Sequence, residues 1–144
     1  MRRELILDYL RAAIRALCKD GVVPASVVAP NEVADVADAP FFAEVYVEER
    51  DARRETERGR VSRVVGIVVL NARLGEGAAR LDAAAERVAR FFEPGAPGVR
   101  GFTARDGTRR ALVYPSGVRR ATPEVVDGRY KTSVAVEFEI FEEE

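Results

Sequence analysis

The chain contains no histidine and no tryptophan, one cysteine, and two lysines, Lys19 and Lys131. Without histidine, the Ser-His and Cys-His nucleophile pairs and the His-containing metal sites are excluded, and these are the commonest catalytic designs. The single Cys18 excludes an internal disulfide and any cysteine-based metal cluster. It lies four residues after Ile14 in a helical stretch, which makes it a small packed hydrophobe and not a reactive thiol. No segment approaches the roughly 18 consecutive apolar residues of a membrane span. The N-terminal "MRRELILDYLRAAIRAL" is interrupted by Asp8, Arg11 and Arg15, which argues against a secretory signal. A dominant charge is missing too: 23 Lys plus Arg face 24 Asp plus Glu. That removes the basic field of a dedicated nucleic-acid binder.

What is present is enough to fold. At 144 residues the chain fits one domain, and its 47% hydrophobic and 33% charged content gives a real core under a soluble surface. Positive charge is almost wholly arginine. Codon usage in a GC-rich genome accounts for that, and so does the fitness of the planar guanidinium for packed subunit contacts.

Residues 3 to 18 read as an amphipathic helix, with Leu5, Ile6, Tyr9, Leu10, Ala13, Ile14 and Leu17 at spacings of three and four, and Gly21 as its cap. Pro24, Pro30 and Pro40 then enforce an irregular connection, with one short strand near Val27 and Val28. "FFAEVYVEE" sets Ala43, Val45 and Val47 against Glu44, Tyr46 and Glu48, a half-buried strand. "VSRVVGIVVLNAR" is apolar on both faces at its centre, which predicts a central strand covered on each side. "AARLDAAAERVARFF" forms a second helix on Leu81, Ala84, Ala85, Val88, Phe91 and Phe92, ended by "EPGAPG". Two short strands follow around Asp106-Gly107, and Pro115 to Gly117 reads as another reversal. In "RYKTSVAVEFEIFEEE", Tyr130, Thr132, Val134, Val136, Phe138 and Ile140 face the core, opposite Lys131, Ser133, Glu137 and Glu139.

Helix, strand, strand, helix, then two or three strands predicts an α+β domain, residues 1 to 144, with two helices packed on a mainly antiparallel sheet. If the second helix covers one face of the strand over residues 61 to 73, the other face needs the first helix or another subunit.

Candidate chemistry is thin. Glu137 and Glu139 share a solvated strand face with no apolar pocket to raise either pKa. "LGEGAAR" offers a glycine turn at a helix start but lacks the Walker lysine and the dinucleotide spacing, so a plain strand-to-helix turn outweighs a phosphate site. No catalytic residue, metal or cofactor is indicated.

Charge placement carries more. Residues 48 to 60, "EERDARRETERGR", hold five positive and five negative groups between two strands, longer than the roughly two to five residues of a hairpin loop. Mixed charge keeps such an arm soluble while free and sets register against a partner. Its interface candidates are Arg50, Asp51, Arg53, Arg54, Glu55, Glu57, Arg58 and Arg60. Residues 99 to 131 carry eight positive against three negative groups, including the dyads Arg109-Arg110 and Arg119-Arg120, whereas residues 132 to 144 carry five negative and none positive. A basic patch and an acidic strand end, with Glu137 and Glu139, can meet between neighbours and close a ring head to tail. A solvated surface is the bland alternative for any one dyad, and a disordered loop for the arm.

The strand, glycine turn and Ala-rich helix of "RVSRVVGIVVLNARLGEGAARLDAAAERVARFF", with "APFFAEVYVEE" before it and "GRYKTSVAVEFEI" after it, resemble the tail terminator and tail completion proteins of long-tailed phages and phage-like particles. The likeness spans nearly the whole chain and rests on patterns, not invariant catalytic signatures. It implies a non-catalytic virion tail subunit, assembled in the bacterial cytoplasm. Such subunits form a ring, a hexamer, on the last ring of tail tube protein and present a surface to head-tail connector proteins. DNA would pass through the lumen without being gripped, and no membrane is involved. The long charged arm and the irregular connection over residues 22 to 40 depart from that pattern. Two other readings remain: a head-tail connector of the neck, and a small-molecule or anion-binding α+β domain using the "GEG" turn. An enzyme ranks last.

Overall fold

A computed structural model describes residues 2–17, 27–28, 41–56, 59–73, 78–93, 102–106, 109–126 and 128–143, with side chains for 6–17, 42–48, 61–73, 79–93, 112–126 and 128–141. The elements run α1 (Arg2–Leu17), β1 (Val27–Val28), β2 (Phe41–Thr56), β3 (Gly59–Arg73), α2 (Ala78–Phe92), β4 (Phe102–Asp106), β5 (Arg109–Arg120), β6 (Glu124–Val126) and β7 (Arg129–Glu143). The fold is α+β, with one sheet ordered β1-β2-β3-β7-β5-β4 and β6 pairing β7. All strand pairs are antiparallel except β1 with β2. Cys18, Gly21 and the "GEG" turn lie outside the described residues.

Alternation decides which face of each strand is core. On β7, Thr132, Val134, Val136, Phe138 and Ile140 are buried while Lys131, Ser133, Glu137 and Glu139 stay half-exposed. The ladder puts Phe138 opposite Val64 and Val134 opposite Val68, extending that core face across β3, where Val64, Val68, Leu70 and Ala72 are buried. On β2, Ala43, Val45 and Val47 continue it.

Both helices lie on this one face. α1 lowers Ile6, Leu10, Ala13 and Ile14 onto β2 and β3, and α2 lowers Leu81, Ala84, Ala85, Val88 and Phe92 onto β7, β5 and β3. Edge-to-face rings join them: Tyr9 meets Phe92 at 6.1 Å and Phe138 at 5.9 Å, and Phe92 meets Phe138 at 6.2 Å. Such pairs add about 0.5–1.5 kcal/mol each beyond their buried area. Gly66 sets how closely α1 approaches: a Cβ there would stand 2.8 Å from Leu10 Cδ1 and 3.0 Å from the Phe138 ring.

Three expectations are corrected. The 61–73 strand is central but not covered on each side by helices, because α1 joins α2 on the face holding Gly66 and the opposite face receives neither. Pro115–Gly117 is no reversal. The ladder to β7 shifts register between Pro115 and Gly117 and runs on to Arg120, so the segment is a bulge within β5. The β4 ladder reaches only as far as Val113, so among the described residues Pro115 stands where β5 has become an edge and no second ladder needs its missing N–H. Finally, four strands follow α2 where two or three were expected. In the charged stretch β2 and β3 stay paired out to Thr56 and Gly59, a hairpin in place of the loop alternative.

Gly66→Ala will lower unfolding stability by about 1–3 kcal/mol, the usual cost of forcing a methyl group into a packed core. Urea denaturation measures it, and an unchanged midpoint would contradict the close seating of α1.

Candidate assembly surfaces

The topology gathers residues far apart in sequence at one end of the sheet. β7 is flanked by β3 and β5, and the registers set Arg60 opposite Glu142, Arg63 opposite Glu139 and Arg110 opposite Glu143. Arg50, Asp51, Arg53, Arg54, Glu55, Arg60, Arg109, Arg110 and Glu139 therefore share this end, with Glu137 nearby. Arg119 and Arg120 do not join them; they stand opposite Ala135 and Val134, further along β7. Glu57 and Arg58, and the side chains of Arg50, Asp51, Arg53, Arg54, Glu55, Arg60, Arg109 and Arg110, lie outside the described residues. The separation of basic and acidic stretches along the chain thus is not a separation in space. The strand carrying Arg109-Arg110 is hydrogen-bonded beside the acidic strand end of the same subunit.

Two of the anticipated contact residues have partners within the subunit. Glu139 accepts a hydrogen bond from the Tyr114 hydroxyl at 2.6 Å and lies 3.8 Å from the Arg63 guanidinium. Arg63 is 57% exposed in its side chain, so that long ion pair contributes little. Arg120 reaches across to Asp82 of α2 at 3.3 Å and tethers the β5 edge to the helix. Arg119 and Glu137 differ: together with Val65, Gly117, Val118 and Ala135 they line a recess of about 210 Å³ beside the β5 bulge.

On the helix-free face, Val61, Ile67 and Val69 are half-buried and Val65 is buried, forming an apolar stripe along β3. Polar groups border it. Glu44 accepts from the Tyr46 hydroxyl and from Asn71 Nδ2, the latter at 2.9 Å. Further along, the Arg129 guanidinium carbon lies 4.8 Å from the centre of the Phe42 ring. The bond to Glu44, then partial burial and the carboxylate's charge, push the Tyr46 phenol up to about 12. Tyr114 is raised in the same way by Glu139.

The two lateral edges of the sheet differ. At one, β1 pairs only with Ala43 and Glu44, so most of β2 has no described outer neighbour. Here Arg50 pairs with Arg63 and Arg54 with Val61, leaving Asp51, Ala52 and Arg53 against Ser62 alone in a bulge. At the other edge the β4–β5 ladder ends with Phe102 opposite Val113, and beyond it a groove of about 400 Å³ opens between α2 and β5, lined by Glu86, Ala89, Arg90, Glu93, Val118 and Arg120. Sequence reasoning missed this groove. Nothing local revealed that β5 would lie alongside the charged positions of α2. Among the described residues, no group of three or more His, Cys, Asp or Glu is placed to hold a metal ion. No described helix is long and apolar enough to cross a membrane.

The sign of the Tyr46 shift fixes its effect on stability. With a folded pKa above the ordinary 10.0, the neutral phenol's bond to Glu44 contributes fully below pH 10.0 and is lost as pH rises through about 12. Phenolate absorbance will show one tyrosine ionising near about 12, and Tyr46→Phe will remove that component; an unaltered titration curve would contradict the assignment.

No protein-family model and no curated protein matches the chain. A solved structure superimposes with a TM-score of 0.58 at 17% identity, covering 93% of this chain and 94% of that one. At that identity the likeness shows the fold alone, carried at nearly equal length in both chains.

Proposed function

We propose that this chain is a structural subunit of a phage tail, of the terminator or completion type. Copies assemble into a ring, a hexamer, that caps the tail tube and offers the surface for head joining. The observation that carries this reading is the charged β2–β3 hairpin. It is an extension of the sheet's own ladder to Thr56 and Gly59, a braced arm where a mobile loop was the alternative. Bracing lowers the ordering cost that a loop would incur on docking.

Three further features support the reading. One-sided helix packing leaves an apolar stripe on β3 for another molecule to cover. The two edges of the sheet are unlike, as head-to-tail contacts require. The formal net charge of −1 suits a lumen that DNA traverses without being held. In this role the tail tube protein and head-tail connector proteins are the partners, and no substrate is transformed. A metabolite-binding domain finds less support: the described recesses, about 400, 310 and 210 Å³, are all open to solvent.

Negative-stain microscopy of the purified protein mixed with isolated tail tubes tests this. Rings of uniform diameter seated on blunt tube ends are the expected outcome. Tubes that continue to elongate, with no density added at their ends, would contradict it.

A further inference from the structure

We propose that the recess beside the β5 bulge is a two-fold contact between two copies of this chain: their helix-free sheet faces pack together, and Arg119 of each copy enters the recess of the other and meets its Glu137. This goes beyond the ring reading. A face-to-face pair is a different contact from the head-to-tail one that closes a ring, and either can hold without the other.

A glycine leaves the recess open. Gly117 stands opposite Glu137 in the ladder, and Arg119 stands opposite Ala135, one same-face step along. A Cβ at Gly117 would meet Glu137 Oε2 at 3.5 Å, an ordinary contact distance, and the backbone there is outside the left-handed region, so the subunit's own fold does not require glycine. The floor is apolar, formed by Ala135 and by Val65, which is only 3% exposed. Among the described residues, the two charged walls, Arg119 and Glu137, form no ion pair with each other or with another side chain. Their neighbours Arg120 and Glu139 are both engaged within the subunit.

A second copy is the occupant that satisfies both charges. An anionic partner would attract Arg119 and be repelled by Glu137, and a cationic one the reverse, whereas a copy turned by a two-fold axis offers each residue its opposite. The registers supply the geometry. Two adjacent rows cross this face, Gly117, Glu137, Val65 and Glu48 in one and Arg119, Ala135, Ile67 and Tyr46 in the next, about 7 Å away. A two-fold axis between the two sheets, running across the strands between these rows, lays each row on the other row of the partner. Val65 then meets the partner's Ile67. Arg119 lies over the partner's Gly117, where no side chain stands between it and Glu137. The same packing covers the apolar stripe on β3, which neither helix covers.

Charge exchange tests the pairing. Wild type, Arg119→Glu, Glu137→Arg, the two combined in one chain, and Gly117→Leu are compared by sedimentation velocity at matched concentrations, with circular dichroism confirming that each folds. Each reversal alone is expected to weaken association at least about tenfold, and the combination to recover to within about threefold of wild type. Gly117→Leu, which fills the recess, is expected to weaken association with little change in melting. A two-fold contact makes one further demand: Arg119→Glu and Glu137→Arg chains, each weak alone, must associate when mixed, because both of their cross-contacts then join opposite charges. If that mixture associates no better than its components, if the single reversals leave wild-type association unchanged, or if wild type is a single subunit at every concentration, the contact is overturned. The ring reading is judged separately, by whether the same variants still seat on tube ends as wild type does.

Discussion

Everything in this molecule depends on how closely α1 can approach β3. Gly66 leaves room for Leu10 and Ile6 to descend onto the sheet beside Phe138, and that descent places α1 on the same side as α2. A larger residue would lift the helix and open the ring contacts among Tyr9, Phe92 and Phe138 that couple the two helices to the sheet. With both helices on one side, a single core forms, and the opposite face keeps its apolar stripe along Val61, Val65, Ile67 and Val69. The proposed assembly is thus a consequence of an intramolecular packing choice.

That choice also explains the character of the edges. A sheet with open edges risks uncontrolled pairing, and among the described residues β2 carries a bulge at residues 51–53 and β5 one between Pro115 and Gly117, each of which disfavours regular pairing at that point. Charged side chains are paired within the subunit at the β5 edge as well, Arg90 with Glu86 and Arg120 with Asp82 beside the α2–β5 groove.

Much of this was legible in the residues. The stripe Leu81, Ala84, Ala85, Val88 and Phe92 and the alternation from Thr132 to Ile140 each follow a single period that burial obeys, and Val27–Val28 does form a short strand. Which face α1 would choose was not legible, because the stripe on Ile6, Leu10 and Ile14 says that a face is buried, not against what. Pro115 and Gly117 carry the same local signals for a turn as for a bulge. Only the long-range pairing of β5 with β7 separates the two. The charge separation of the last third misled for a related reason: antiparallel pairing folds Arg110 back beside Glu143. The α2–β5 groove escaped notice because it exists only where Val118 and Arg120 lie across from α2.

The central claim is that the chain works by fitting copies of itself, and its mass in solution tests that most directly. Sedimentation equilibrium over a wide concentration range should resolve one fixed multiple of the 15.9 kDa subunit, reached cooperatively and unchanged by further concentration. A species of 15.9 kDa at every concentration, with tail tubes present as well as absent, would contradict the account.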